Sequence, residues 1–298
     1  MSELVFSLIF GHFLADYLFQ TDKINKGKES SNKKEKHKAL FIHVVIHFIT
    51  YVLIAVFIGQ FSFVVFGAIL LICIFHFFTD IGKEEFKKYP NVNSSTWSSV
   101  FIYILDQILH IIFIIFSLRI LSLITYDWND ILKFLGSFLF SGSSGSVNFS
   151  TIDKITAVGS VIMFNTYFCA YLFEIILKPF KPNADNFIDS TIEHKLNLTY
   201  KDNKLSEEYV IEKTNIQNHY QEPPTRVGKY IGMIERLVIM FLIGAQAFVA
   251  ITFIVTIKAL TRFKQFDDKC FAEYYLIGSL LSVLFAIISG YLLILIVK

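Results

Sequence analysis

Five of the eight histidines in the chain lie inside long apolar stretches, and each has a second ionisable or imidazole residue four positions away: His12 with Asp16, His43 with His47, His76 with Asp80, and Asp106 with His110. In a helix, a spacing of four puts both side chains on one face. A charged residue at the centre of a bilayer helix costs about 2.5–3.5 kcal/mol on insertion scales, so residues of this kind inside a span mark function by default. Imidazole and carboxylate together are the ligand set of zinc, manganese or iron. Facing helices of a bundle can build a di-metal centre from such pairs, and eight side chains suit two ions. We therefore expect a divalent transition metal, zinc first, then manganese or iron, on His12, Asp16, His43, His47, His76, Asp80, Asp106 and His110. Asp80 and Asp106 are also the candidates for a catalytic acid–base role. Gln20, Lys83 and Gln107 neighbour the cluster and are the candidates for contacting substrate. For Lys83 the competing reading is a lysine that snorkels from a helix end to the interface.

These pairs need helices to carry them, and the apolar residues supply the pattern. The chain has 298 residues, 54% of them hydrophobic, with a mean hydropathy of +0.55 and 33 phenylalanines. A bilayer crossing takes about 20 apolar residues. The spans read as Leu4–Gln20, Ala39–Gly59, Phe61–Ile81, Val100–Thr125, Ile155–Lys178, Gly232–Lys258 and Tyr274–Val297. The expected fold is all-α, a polytopic helical membrane protein of about seven transmembrane helices. Residues 1–126 form a four-helix bundle lined by His and Asp, and 127–154 an extracytoplasmic loop whose DWNDILKFLGSFLF segment reads as an interfacial helix. Residues 155–178 are the fifth span and 179–231 a cytoplasmic loop with one short helix. Residues 232–298 are a C-terminal membrane hairpin. In this arrangement all four pairs sit at a similar depth, in the halves of their helices nearest the lysine-rich loops.

Lysine and arginine gather in the loops Thr21–Lys38, Gly82–Ser99 and Lys178–Ile231, which alternate correctly to share one side. That side reads as the cytoplasm. A multi-pass protein of the inner (plasma) membrane is expected, with its N-terminus outside and its C-terminus inside. The basic connection Lys258–Glu273 runs against this, so the last hairpin is the weak point of the topology. The first span has no basic leader or small-residue cleavage site and reads as a retained helix. A net charge of +2 carries no nucleic-acid signature. Three scattered cysteines with no C-x-x-C pair suggest neither a disulfide framework nor a thiolate metal site. Membrane lipid is the expected partner, and homo-oligomerisation stays open.

The segments HFLADYLFQTDKINKGK, HFFTDIGK and DQILHI, with the H-x-x-x-H between them, resemble the bacterial membrane family catalogued as domain of unknown function 3307. The later GKYIGMIERLVI, IKALTRF and AEYYLIGSLLS resemble the C-terminal part of longer members, leaving about Pro179 to Thr225 unplaced. The resemblance implies a membrane protein and brings no activity with it.

A metal near the cytoplasmic leaflet can lower the pKa of bound water towards 7. With lipid headgroups within reach, the expected function is a membrane-embedded metal-dependent hydrolase acting on a lipid or lipid-linked phosphate. Two alternatives use the same residues. One is a proton- or metal-ion transporter or channel. The other is a structural membrane protein pinned by a buried polar network. The far halves of the first four spans are nearly all apolar, which disfavours a through-path.

Overall fold

In the computed structural model, residues 2–89, 95–125, 149–181, 190–201, 204–215 and 225–297 are described. Helix α1 (Ser2–Phe13) runs on into a π-helical turn, Leu14–Leu18. The chain then bends by 88° into the short helix α2 (Asp22–Lys28). Thr21 starts α2 by accepting a hydrogen bond from the Ile24 amide, which satisfies one of the free donors of the first turn. Asn32, Ser62 and Ser95 do the same for α3 (Lys33–Phe57), α4 (Phe63–Phe86) and α5 (Thr96–Ile120). Gly59, at φ +70°, makes the tight turn between α3 and α4 in a conformation that other residues adopt only with strain. Helix α6 (Thr151–Met163) opens on a capping box of Ser150 and Asp153, passes through a second π turn (Phe164–Phe168) and continues as α7 (Cys169–Leu177). After the antiparallel strands β1 (Ser190–Lys201) and β2 (Lys204–Asn215) come α8 (Thr225–Gly244), α9 (Phe248–Thr261) and α10 (Lys269–Val297).

The helical membrane architecture holds, with one two-stranded hairpin beside the helices. Among the described residues, five helices are long and apolar enough to cross a membrane: α3, α4, α5, the continuous Thr151–Phe180 and α10. Counting the bent pair α1–α2 as one span gives six. The expected seventh is where the sequence reading differs. The run Gly232–Lys258 is two helices broken at Ala245–Ala247, with Gln246 at φ 58°. The first of the two carries Arg226, Lys229, Glu235 and Arg236, which lower its hydropathy, and the second has only fourteen residues. The loop 179–231 holds a two-stranded hairpin, with Ser190 opposite Asn215 and Lys201 opposite Lys204, where a short helix was expected. Alternating Ile, Leu, Tyr and Val in that stretch have the two-residue period of a strand. The expected interfacial helix falls in 126–148, outside the described residues.

Two packed groups position the site. Helices α1, α3, α4 and α5 form one, with α1 also lying against α6 and α5 against α7. Helices α8 and α10 pack on each other and on the second π turn. They approach closely at Gly290, where a Cβ would meet Ile243 Cβ at 2.7 Å and Met240 O at 3.0 Å. Inside the first group, one end is filled by an apolar core of Leu4, Leu8, Tyr51, Ala55, Val65, Ile69, Ile72, Ile114 and Leu118. The outward faces are apolar as well, with Phe57, Phe63, Phe78 and Phe101 among many exposed large side chains. A surface so apolar is one solvated by lipid.

Candidate metal centre

The polar half of the bundle begins where the apolar core ends. His12, His43, His47, His76 and His110 are all buried there, contributed by α1, α3, α3, α4 and α5. Their rings touch: centroids are 4.0 Å apart for His47 and His76, 4.1 Å for His76 and His110, and 5.0 Å for His12 and His110. Asp16 sits in the π turn of the first span, a local widening of the helix that recurs at functional sites. His43 Nε2 and His47 Nε2 both come to 3.1 Å from Asp16 Oδ1.

Asp16, His43, His47 and His76 each offer one ligand atom, all within 4.8 Å of one another. A second set, His76, Asp80 and His110, meets the same condition and shares His76. The donor chemistry fits a borderline transition metal. So does the hydrogen bonding. Both ring nitrogens of His12, His43 and His76, and Nε2 of His110, are buried without an aligned hydrogen-bond partner. Each such group costs about 1–3 kcal/mol unless something else satisfies it, and a cation would satisfy one ring nitrogen, the one with the lone pair, on each of His43, His76 and His110. His110 Nδ1 lies 2.7 Å from the Asp106 carbonyl, which fixes its tautomer and leaves Nε2 facing the cluster.

The two sets differ in charge. Lys28 Nζ is 2.8 Å from Asp80 Oδ2, and Lys83 Nζ is 3.2 Å from Asp80 Oδ1 and 2.9 Å from Asp106 Oδ2. Two lysines thus neutralise two carboxylates around the second set. Among the described residues Asp16 has no lysine partner; its carboxylate meets imidazoles and the amide of Gln107, whose Nε2 donates to Oδ2 at 3.1 Å. A divalent cation is better accommodated in the first set, where negative charge is not already balanced.

Of the eight expected ligands, the structure brings six into the two sets: Asp16, His43, His47, His76, Asp80 and His110. His12 and Asp106 stand beside them in neither. His12 stacks on His110 with Nε2 at 3.5 Å from Asp16 Oδ2, and Asp106 is engaged by Lys83 and by Gln107 Nε2 at 3.4 Å. Gln20 bonds to Asn25, pinning the bend before α2. Asp16 and Lys83 keep the most contact with the outside, their side chains 12% and 20% exposed, against 2% for Asp80.

Four further residues belong to the site. Lys28, one of a run of loop lysines in the sequence, is buried because α2 folds back onto α3, with Gly27 against Ala39. Tyr51 lies four residues after His47 on the same face and brings its hydroxyl to 3.3 Å from His47 Nδ1. Tyr17 donates to Gln107 Oε1 at 3.4 Å and meets the Tyr103 hydroxyl at 3.1 Å, and Tyr103 donates to the Phe168 carbonyl. The spacing to His47 was a signal for Tyr51; Lys28 had none.

A second ionic group lies among the later helices. Glu235 pairs with Lys258 at 2.5 Å and Glu174 with Lys229 at 3.4 Å. Arg236 instead donates from Nε to Asn165 O at 2.7 Å and from Nη2 to Thr166 O at 3.0 Å, using carbonyls of the second π turn.

Residues 4–138 match the family model described as "Protein of unknown function (DUF3307)". The family resemblance carried by the His/Asp motifs is therefore shown over this stretch, which contains every residue of the candidate centre. The C-terminal motifs lie outside the match. No curated protein and no solved structure matches the chain.

Proposed function

We propose that the protein is a membrane-embedded metalloenzyme that hydrolyses a lipid or lipid-linked phosphate at its lysine-rich face. The observation that carries this reading is the convergence of Asp16, His43, His47 and His76 within 4.8 Å, the three imidazoles buried and the ring nitrogens of His43 and His76 without an aligned hydrogen-bond partner. One ion on this set is favoured over two. Bound there, a divalent transition metal would supply Lewis acidity to polarise a phosphoryl oxygen and to acidify water. Zinc held by all four residues would be closed, as in structural sites, whereas manganese or iron would keep positions open for substrate. Turnover with zinc therefore requires one of the four to stay off the ion or the coordination number to rise.

The chain's own groups supply the rest. Asp80 Oδ2 approaches His43 Nε2 at 3.6 Å and His76 Nε2 at 3.9 Å, next to the four-residue set, and is the candidate general base. Lys28 and Lys83 hold it as a paired carboxylate. A phosphoryl group arriving at Lys83 would draw both ammonium groups towards itself and free Asp80 to take a proton, so the base is released when substrate is present. Asp106 then keeps Lys83 in reach. Gln107 orients Asp16 and need not touch substrate.

The apolar core beyond His12 supports an enzyme over the transporter reading. The test is the full chain reconstituted in vesicles containing an anionic phospholipid, with metal content measured alongside phosphate release. Release that needs the metal and fails in Asp16→Ala is expected. Proton or metal flux through the wild type, lost in Asp16→Ala, with no lipid product, would overturn the enzyme in favour of a transporter. Absence of metal from the wild type would leave a structural polar network.

A further inference from the structure

A cavity of about 340 Å³ lies at the lysine-rich end of the bundle, apart from the metal centre. It is formed between the loop after α2, the start of α3 and the end of α4. Its lining includes Lys33, Lys36, His37 and Lys88, with Leu40 and Ile81. Glu85 is the one carboxylate among the lining residues, and Lys88 already holds it at 2.6 and 2.8 Å. Lys36 is 8% exposed, and its single polar contact among the described residues is Glu85 Oε1 at 3.4 Å, the long arm of that shared carboxylate. Nearby Glu35 accepts a hydrogen bond from the lining residue Ser30. Three lysines therefore face a concave space with one carboxylate to answer them. A lysine that only snorkels does not need a cavity around it. The positive end of the α3 dipole adds to the excess.

We infer that this cavity binds the phosphodiester headgroup of an anionic phospholipid. Cation excess calls for an anion, and the position and floor of the cavity narrow its source. Leu40 and Ile81 line it at the point where two lipid-facing helices reach the polar boundary, and their neighbours Phe41 and Phe78 are exposed on the apolar surface. A ligand with an anionic head and an apolar continuation matches both halves. The inference does not rest on the metal centre, since no ligand of that centre lines the cavity.

Native mass spectrometry of the full chain in neutral detergent tests it, with phosphatidylglycerol, phosphatidylcholine and inorganic phosphate as separate probes. The wild type should prefer phosphatidylglycerol to phosphatidylcholine by roughly tenfold or more, given what each lysine near an anionic surface contributes. The Lys36→Gln/Lys88→Gln variant should lose that preference. The Lys23→Gln/Lys26→Gln variant, which removes equal charge from α2 outside the cavity, should keep it. Equal loss in both variants would replace the site with diffuse surface attraction and overturn the inference. Inorganic phosphate binding as tightly as phosphatidylglycerol would overturn the lipid assignment. Circular dichroism and gel filtration confirm that each variant is folded; if Lys36→Gln/Lys88→Gln is not, Lys33→Gln/Lys88→Gln replaces it with the same expected loss.

Discussion

Lys28 Nζ stands 2.8 Å from Asp80 Oδ2, a buried contact between residues 52 positions apart. It exists because the chain turns by 88° after the first span and lays α2 back on α3. The lysine delivers positive charge to a carboxylate that would otherwise compete for the cation, and this is what separates the two candidate ligand sets.

Breaking that pair should be costly. Lys28→Met leaves Asp80 with Lys83 alone, and loss of one partner of a buried pair typically costs about 3–5 kcal/mol. The melting temperature in detergent should fall clearly. Lys28→Met/Asp80→Asn should recover much of the loss, as a double-mutant cycle would show. Equal melting temperatures for Lys28→Met and wild type would mean that the pair contributes nothing.

Metal stoichiometry distinguishes the sets. About one equivalent of zinc, manganese or iron is expected by elemental analysis, in keeping with one ligand set free of lysines. His43→Ala or His47→Ala should remove most of it, whereas His12→Ala, at a position outside both sets, should retain most. Two equivalents, with metal lost equally in all three variants, would restore the eight-ligand reading.

Gln107 is expected to act through Asp16. Its amide donates to Asp16 Oδ2, and Tyr17 holds its other end. Outer-shell substitutions typically cost about 10–100-fold in metal affinity, and Gln107→Leu should fall in that range by competition with a chelator. An affinity within about twofold of wild type would show that Asp16 needs no such support.

Gly27 permits α2 to dock, because a Cβ there would lie 2.7 Å from Ala39 Cβ. Gly27→Val should lift α2 and expose Lys28 to amine-reactive labelling, read by peptide mass spectrometry. Lys83, on α4, should label as before. Unchanged protection of Lys28 would show that α2 is held by other contacts.

Much of this centre could be read from spacing alone. Four-residue pairs encode helix faces, and the borders between apolar runs and lysine-rich loops encode depth, so the His/Asp cluster was visible before any coordinates. Which members converge was not, since that depends on the rotation of each helix and on lysines arriving from elsewhere. DKINKGK is short and polar and reads as loop, so nothing announced that Lys28 would be buried. IMFLIGAQAFVAITFI reads as one apolar run, and the break at Gln246 appears only in its backbone. The strand hairpin was missed because polar residues interleave with its apolar ones, a pattern shared with surface loops.

The seat of Arg236 on the carbonyls of Asn165 and Thr166 bears on how the two halves of the protein hold together. A buried guanidinium is costly unless its donors are satisfied, and Arg236 is 3% exposed in a helix that is not among those apolar enough to cross a membrane by themselves. Its acceptors are supplied by a π turn synthesised some seventy residues earlier. The Arg236 seat thus ties α8 to the Thr151–Phe180 helix, so the two halves of the molecule are joined by a charged group as well as by apolar packing.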